Sequence, residues 1–171
     1  MEVTGKGLVK GHYLMCAIST MLDFEAPYKK VYMHGTVLGQ DGEKMSKHSQ
    51  NAIRPSDIRE SRNCIRYILL RTFSEQDKLV QLEKGKNEFK KIENKINLML
   101  GEGFITIDSS KVEIEKEIEK IFTNLENFKL ENAIETFYVL LKNVKIEKTI
   151  KRSLNENAKN LRHLCRILFV T

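Results

Sequence analysis

Apolar and polar positions divide the chain into two stretches of different period. Up to residue 58 the pattern is mixed. Leu8, Tyr13, Leu14, Met15, Ile18, Met21 and Leu22 recur at roughly helical spacing, broken once by Gly11, and predict a helix over 8–22. A glycine-punctuated opening, Val3-Thr4-Gly5-Lys6-Gly7, precedes it, and a loop from Asp23 to Lys30 follows. Val31-Tyr32-Met33 and Thr36-Val37-Leu38 are apolar and rich in β-branched residues, as buried parallel strands are. An Asp41-Gly42 pair then predicts a sharp turn.

Beyond residue 58 the period is helical. Pro55 suits a first helical position and Asp57 a first turn. Ile58, Cys64, Ile65, Ile68, Leu69 and Leu70 then make an apolar stripe up to Phe73. Ser74 predicts an N-cap, with Glu75 and Asp77 in the first turn, for a long helix carried by Leu79, Leu82, Phe89, Ile92, Ile96 and Met99. Gly101 and Gly103 end it. Ile105–Asp108 reads as a short apolar bridge and Ser109 or Ser110 as a cap. Two further amphipathic faces run over 112–125 and 130–141, and Ser153-Leu154-Asn155-Glu156 opens a last helix through Phe169. Successive amphipathic helices on short loops predict a helical bundle. The expected architecture is an α/β fragment over 1–58 followed by an all-α helical bundle over 59–171, mostly α overall. The apolar end, Ile167–Thr171, carries no stop signal, so truncation is expected there.

Composition changes this picture little. A chain that is 41% hydrophobic and 30% charged folds. Its 29 Lys+Arg against 23 Asp+Glu give +6, compatible with a polyanionic partner. No apolar run reaches the ~18–20 residues of a membrane span, and the N-terminus lacks a secretory pattern, so no membrane is expected and the cytoplasm is the expected compartment. Cys16, Cys64 and Cys165 are widely spaced and form no Cys-x-x-Cys pair, which predicts buried core thiols and no metal site.

The chemistry concentrates in Asp41–Asn51. Lys44 and Lys47 stand three apart around Met45-Ser46, just after the turn. Two flexible ammonium groups and a hydroxyl on a short loop can close over a polyphosphate. Charge-assisted hydrogen bonds to phosphate contribute roughly 1.5–3 kcal/mol each. A loop leaving a parallel strand is also where α/β sheets bind ligands.

Lys44-Met45-Ser46-Lys47-His48 resembles the Lys-Met-Ser-Lys-Ser signature of class I aminoacyl-tRNA synthetases. Val31-Tyr32-Met33-His34-Gly35 before it, and Asn51-Ala52-Ile53-Arg54-Pro55-Ser56-Asp57-Ile58 after it, resemble the same region of the valine, isoleucine, leucine and methionine enzymes. Phe89-Lys90-Lys91-Ile92-Glu93-Asn94 resembles, more weakly, the helix opening the anticodon-binding bundle. Val3-Thr4-Gly5 looks most like the valine enzyme, which puts valyl-tRNA synthetase first. Cys64–Leu70 also resembles the helix of the cysteine enzyme.

The resemblance implies the C-terminal part of a Rossmann-type catalytic domain joined to stem-contact and anticodon-binding helices. The implied reaction is ATP-dependent activation of an amino acid and its transfer to tRNA, with Mg2+ accompanying ATP. Lys44 and Lys47 would be the catalytic pair on the ATP phosphates. Gly5, His34, Gly35, Met45 and Ser46 would bind ATP, and Arg59, Arg62, Arg66 and Arg71 would meet tRNA. The alternative is a catalytically degenerate module that holds tRNA or another protein.

Four positions depart from the family pattern. His48 replaces the final serine, Gln50 the glycine before Asn51, Gly7 an acid that holds the ATP ribose, and Asn63 an aspartate. The His-Ile-Gly-His-like motif of the N-terminal half is absent, so the resemblance implies a missing N-terminal half or a partner chain. The face meeting it should expose apolar residues around Leu14, Ile18 and Val31.

Overall fold

The computed structural model describes residues 2–54, 58–101, 104–108, 113–149 and 156–169. The chain forms two compact units: Met1–Asp57 with Thr72–Val80, and Ile58–Arg71 with Gln81–Thr171.

In the first unit, β1 (Glu2–Gly5) and β2 (Val31–His34) pair in parallel, from Glu2 opposite Val31 to Gly5 opposite His34. Parallel neighbours need a crossover connection. Here it is α1 (Val9–Asp23), the helix that the apolar spacing predicts. None of its residues is buried; Leu14 is 61% exposed, Ile18 43% and Met21 77%. The apolar exposure expected at Leu14 and Ile18 is therefore present, whereas Val31 is half-buried. A second parallel pair joins β3 (Val37–Leu38) to β4 (Lys78–Leu79).

β4 corrects the expectation of a helix starting at Ser74. The Ser74 hydroxyl accepts the Gln76 N–H at 3.2 Å in a local turn instead of capping a helix. The chain then pairs with β3, and the long helix begins only at Leu82.

The second unit carries α2 (Arg62–Thr72), α3 (Leu82–Leu100), β5 (Phe104–Asp108), α4 (Ile114–Glu126), α5 (Leu130–Asn143), β6 (Lys145–Thr149) and α6 (Glu156–Phe169). Helix α2 starts at Arg62 and not at Ile58, because Ser61 caps it: its Oγ accepts the Cys64 N–H at 3.3 Å. The helix start expected at Pro55 and Asp57, the cap at Ser109 or Ser110 and the helix opening at Ser153–Asn155 lie outside the described residues. The apolar bridge is strand β5, antiparallel to β6 from Phe104 opposite Thr149 to Asp108 opposite Lys145.

The core of this unit sits among the helices, on Tyr67, Phe89, Ile92, Ile96, Phe137 and Leu141. Phe169 packs its ring against Phe89 and Phe137, with centroids 6.3 and 5.7 Å away. Gly85 lets α3 approach α2, since a Cβ there would stand 2.6 Å from Ile68 Cγ1. Lys95 donates to the carbonyls of Leu141 (2.5 Å), Lys142 (3.1 Å) and Val144 (2.7 Å) at the end of α5, groups that a helix C-terminus leaves without partners. Cys64 and Cys165 are buried thiols as expected, and burial pushes Cys165 up to about 12; Cys16 is only half-buried. Among the described residues, no helix is long and apolar enough to cross a membrane.

Candidate functional site

Two clusters in the first unit gather the candidate nucleotide-site residues. The first lies at the end of β2. His34 pairs with Gly5 across the strands, and a Cβ on Gly5 would stand 3.3 Å from the imidazole. The ring donates from Nδ1 to the Gly35 carbonyl at 2.9 Å, the carbonyl being able only to accept, and packs on Phe73 at 5.7 Å. Tyr32 also stacks on Phe73, with centroids 5.5 Å apart.

Gly35 is fixed by a close backbone approach. Its N–H donates to Ser74 O at 2.8 Å, and a Cβ would overlap the Gln76 carbonyl. The chain then changes partner: Thr36 N–H donates to the Asp77 carboxylate at 2.6 Å, and Lys78 N–H to Thr36 O at 2.9 Å. Asp77 also takes Lys6 Nζ at 3.4 Å.

The Thr36 N–H bond, and after it Lys6, hold the Asp77 carboxyl below the ordinary aspartate value of 3.8. A carboxyl depressed in the folded state contributes stability above its unfolded pKa and loses it as pH falls through the folded one. Urea midpoints of the first unit are therefore expected to drop as pH falls below about 4, and Asp77→Asn should flatten part of that drop. Parallel acid profiles for the two chains would remove Asp77 from this role.

The second cluster is the lysine loop. Leu38 bridges Lys44 in antiparallel fashion, and Met45 N–H reaches Val37 O at 3.4 Å, so the chain folds back along β3. Gly42 N–H donates to Gly39 O at 3.0 Å, and Gly42 takes φ +79°, the turn that Asp41-Gly42 predicts. Asn51 sits at the centre of the loop. Its Nδ2 donates to Asp41 Oδ2 at 2.8 Å and its Oδ1 accepts Ser46 N–H at 3.0 Å and Ser49 Oγ–H at 2.8 Å. Asp41 Oδ1 accepts Glu43 N–H at 3.1 Å, and Ser46 Oγ accepts His48 N–H at 3.1 Å. Asn51, and then Glu43 N–H, hold the Asp41 carboxyl below its ordinary value.

Gln50 adopts φ +55°, the left-handed region that favours glycine. The loop thus keeps the glycine conformation with glutamine in place. Lys44 and Lys47 are exposed and form no ion pair among the described residues, while Met45 and Ser46 are half-buried.

The structure gathers Gly5, His34 and Gly35 at one strand end, and Lys44, Met45, Ser46 and Lys47 in the loop leaving β3. The four arginines lie in the other unit. Arg59 and Arg62 are exposed and Arg66 is half-buried. Arg71 is turned onto Glu88 at 3.5 Å, and the same carboxylate accepts the buried Tyr67 hydroxyl at 3.1 Å, so this arginine helps to hold α2 against α3.

His12 lies 3.5 Å from Glu2, and His163 stacks on Phe122. The residues that sequence reasoning missed are Asp77, read there as part of a helix, and the Asp41–Asn51 contact. Their only signal was the placement of Asx residues beside turns.

The family described as tRNA synthetases class I (I, L, M and V) matches residues 3–82. The isoleucine--tRNA ligase of Methanocorpusculum labreanum is 48% identical over 46 residues, covering 27% of this chain and 4% of the relative. That of Campylobacter curvus is 31% identical over 88 residues (48% and 10%), and that of Thermococcus kodakarensis 34% over 89 residues (51% and 8%). The aligned stretches thus span a tenth or less of these relatives. All three are isoleucine enzymes, whereas Val3-Thr4-Gly5 had pointed to valine first. Over residues 3–82, which take in both clusters, the chain is similar to the class I tRNA synthetases of the isoleucine, leucine, methionine and valine group.

Proposed function

We propose that this chain supplies the phosphate-facing loop of a class I synthetase active site, with Lys44 and Lys47 stabilising the ATP phosphates while an amino acid is activated for transfer to tRNA. The observation that carries this reading is the pair of exposed ammonium groups, without an acidic partner among the described residues, on a hydrogen-bonded loop that leaves a parallel strand. Ammonium groups aimed at developing phosphate charge lower the barrier electrostatically. The donors suit a polyphosphate, and ATP would arrive with Mg2+. His34 and Gly35, with Gly5 beside them, would form the floor of the nucleotide site, and Met45 and Ser46 its loop wall.

In this reading the first unit is the C-terminal part of a Rossmann-type domain, and the exposed apolar face of α1 receives the rest of that domain. The second unit meets tRNA through Arg59, Arg62 and Arg66, in the cytoplasm. Isoleucine takes first place over valine, because the relatives reported above are isoleucine ligases. The test is ATP–pyrophosphate exchange with the remaining catalytic domain supplied. Exchange stimulated by isoleucine, with valine second, is the expected result. No exchange with any amino acid of the group would move the chain to the second reading, a degenerate module that binds tRNA in a salt-sensitive way without an ATP effect. His48 and Gln50 favour that second reading as departures from the signature, but Gln50 already holds the left-handed turn.

A further inference from the structure

The geometry points to Asp41 and Asn51 as the positioning residues of the lysine loop: we infer that their side-chain clamp holds Lys44 and Lys47 in the arrangement that receives a polyphosphate. This rests on the proposed function for the ligand, and on the loop's own hydrogen bonds for the clamp.

The two residues lie ten apart and close the segment that carries both lysines. Asn51 makes four contacts inside it. Its amide nitrogen donates to Asp41 Oδ2 at 2.8 Å and lies 3.4 Å from Lys44 O. Its amide oxygen accepts Ser46 N–H at 3.0 Å and Ser49 Oγ–H at 2.8 Å. Asn51 therefore touches the residue before Met45 and the residue after it. Asp41 completes the ring through Glu43 N–H at 3.1 Å, one residue before Lys44.

Gly39 lies directly against the clamp. A Cβ there would stand 2.7 Å from Asp41 Oδ1 and 3.2 Å from Asn51 Nδ2. The lysines themselves contribute no side-chain contact to this ring; it is built wholly from their neighbours. Such a division leaves the charged groups free for a ligand while their backbone is fixed, which reduces the ordering cost of binding.

The clamp has a chemical signature that a merely space-filling role lacks. Only an amide facing a carboxylate satisfies every donor and acceptor. Asn51→Asp sets two carboxylates against each other at the Asp41 contact and opens the ring. Adding Asp41→Asn restores the Asp41–Asn51 contact with the polarity reversed: Asn at 41 donates to Asp at 51, its carbonyl still accepts Glu43 N–H, and the carboxylate at 51 still accepts Ser46 N–H and Ser49 Oγ–H, leaving out only the long 3.4 Å contact to Lys44 O.

The experiment compares the full chain with Asn51→Asp, Asp41→Asn and the double variant. Pyrophosphate binding is measured by calorimetry, and amide exchange at Ser46 and Glu43 by NMR. Asn51→Asp is expected to weaken pyrophosphate binding about tenfold and to speed exchange at Ser46. The double variant should return both to within about twofold of the parent, and Asp41→Asn alone should fall between.

Binding and exchange unchanged in Asn51→Asp, or a double variant as impaired as that single one, would overturn the inference. Failure of the parent chain to bind pyrophosphate would count against the proposed function, while Ser46 exchange across the same variants would still decide whether the clamp shapes the loop. If Asn51→Asp lowers the thermal midpoint of the whole chain, the double variant decides, since rescue of the loop requires the reversed pair.

Discussion

Gly35→Ala is expected to cost the first unit about 3 kcal/mol, the upper end of what overpacking a rigid site produces. A Cβ on residue 35 would overlap the Gln76 carbonyl and stand 2.6 Å from Asp77 N. These are main-chain atoms, so no side chain can swing aside to make room. The 74–77 segment would have to move, and several bonds would move with it. Ser74 O accepts Gly35 N–H at 2.8 Å, the Asp77 carboxylate accepts Thr36 N–H at 2.6 Å, and Thr36 O accepts Lys78 N–H at 2.9 Å. The last of these starts the β3–β4 pairing from which the lysine loop departs.

Gly7→Ala is the matched control. Nothing lies within 4 Å of the Cβ it would add, and its stability change should stay within about 0.5 kcal/mol. Urea unfolding followed by amide exchange at Gly35–Leu38 separates the two variants. Equal midpoints would show that the 74–77 segment yields without loss and that Gly35 is not held by Gln76.

The elements readable from the chain are those whose period is local. The stripe Phe89, Ile92, Ile96, Met99 is a helical face wherever it occurs, and it is buried in α3. Val31-Tyr32-Met33 is strand-like by composition, and it forms β2. What was not readable depends on a distant partner. Lys78-Leu79 is two residues long with one lysine, and it becomes a strand only because Val37-Leu38 lies beside it. Ser74 looked like a cap because hydroxyls beside acidic residues open helices, yet its hydroxyl closes a turn that feeds this pairing. Lys145–Thr149 alternates too weakly to outweigh the helices around it, and its pairing with Phe104–Asp108 fixes it.

The candidate site divides in the same way. Lys44 and Lys47 were visible as charges at a fixed spacing. The Asp41–Asn51 contact was not, because a turn and a left-handed Gln50 must first bring the ends together. Arg71 shows what a charge read alone leaves out: Glu88 lies 3.5 Å from it and accepts the buried Tyr67 hydroxyl on the same carboxylate oxygen.

Lys47→Ala should slow ATP–pyrophosphate exchange about 10²-fold in the completed catalytic domain, and Lys44→Ala by at least about tenfold. The two residues can be removed without confusing chemistry with folding. Both side chains are exposed and form no ion pair among the described residues, so the thermal midpoint should change by no more than a surface substitution allows, about 0.5 kcal/mol. A lysine that acts on charge developing in the transition state lowers kcat more than it raises the KM for the amino acid, because ground-state binding of that substrate does not use it. Lys47→Arg keeps the charge but replaces a compact ammonium with a planar fork, so it should recover part of the rate and not all of it. The loop ring supports this separation: Asp41, Ser46, Ser49 and Asn51 bond to one another without either ammonium group, so the backbone at 44–47 should hold its shape in both alanine variants. Unchanged Ser46 amide exchange together with a lost rate would then assign the loss to the missing charge. A rate of ATP–pyrophosphate exchange equal to the parent's in Lys47→Ala would remove that lysine from the chemistry and leave it as a solvated charge on a well-ordered loop.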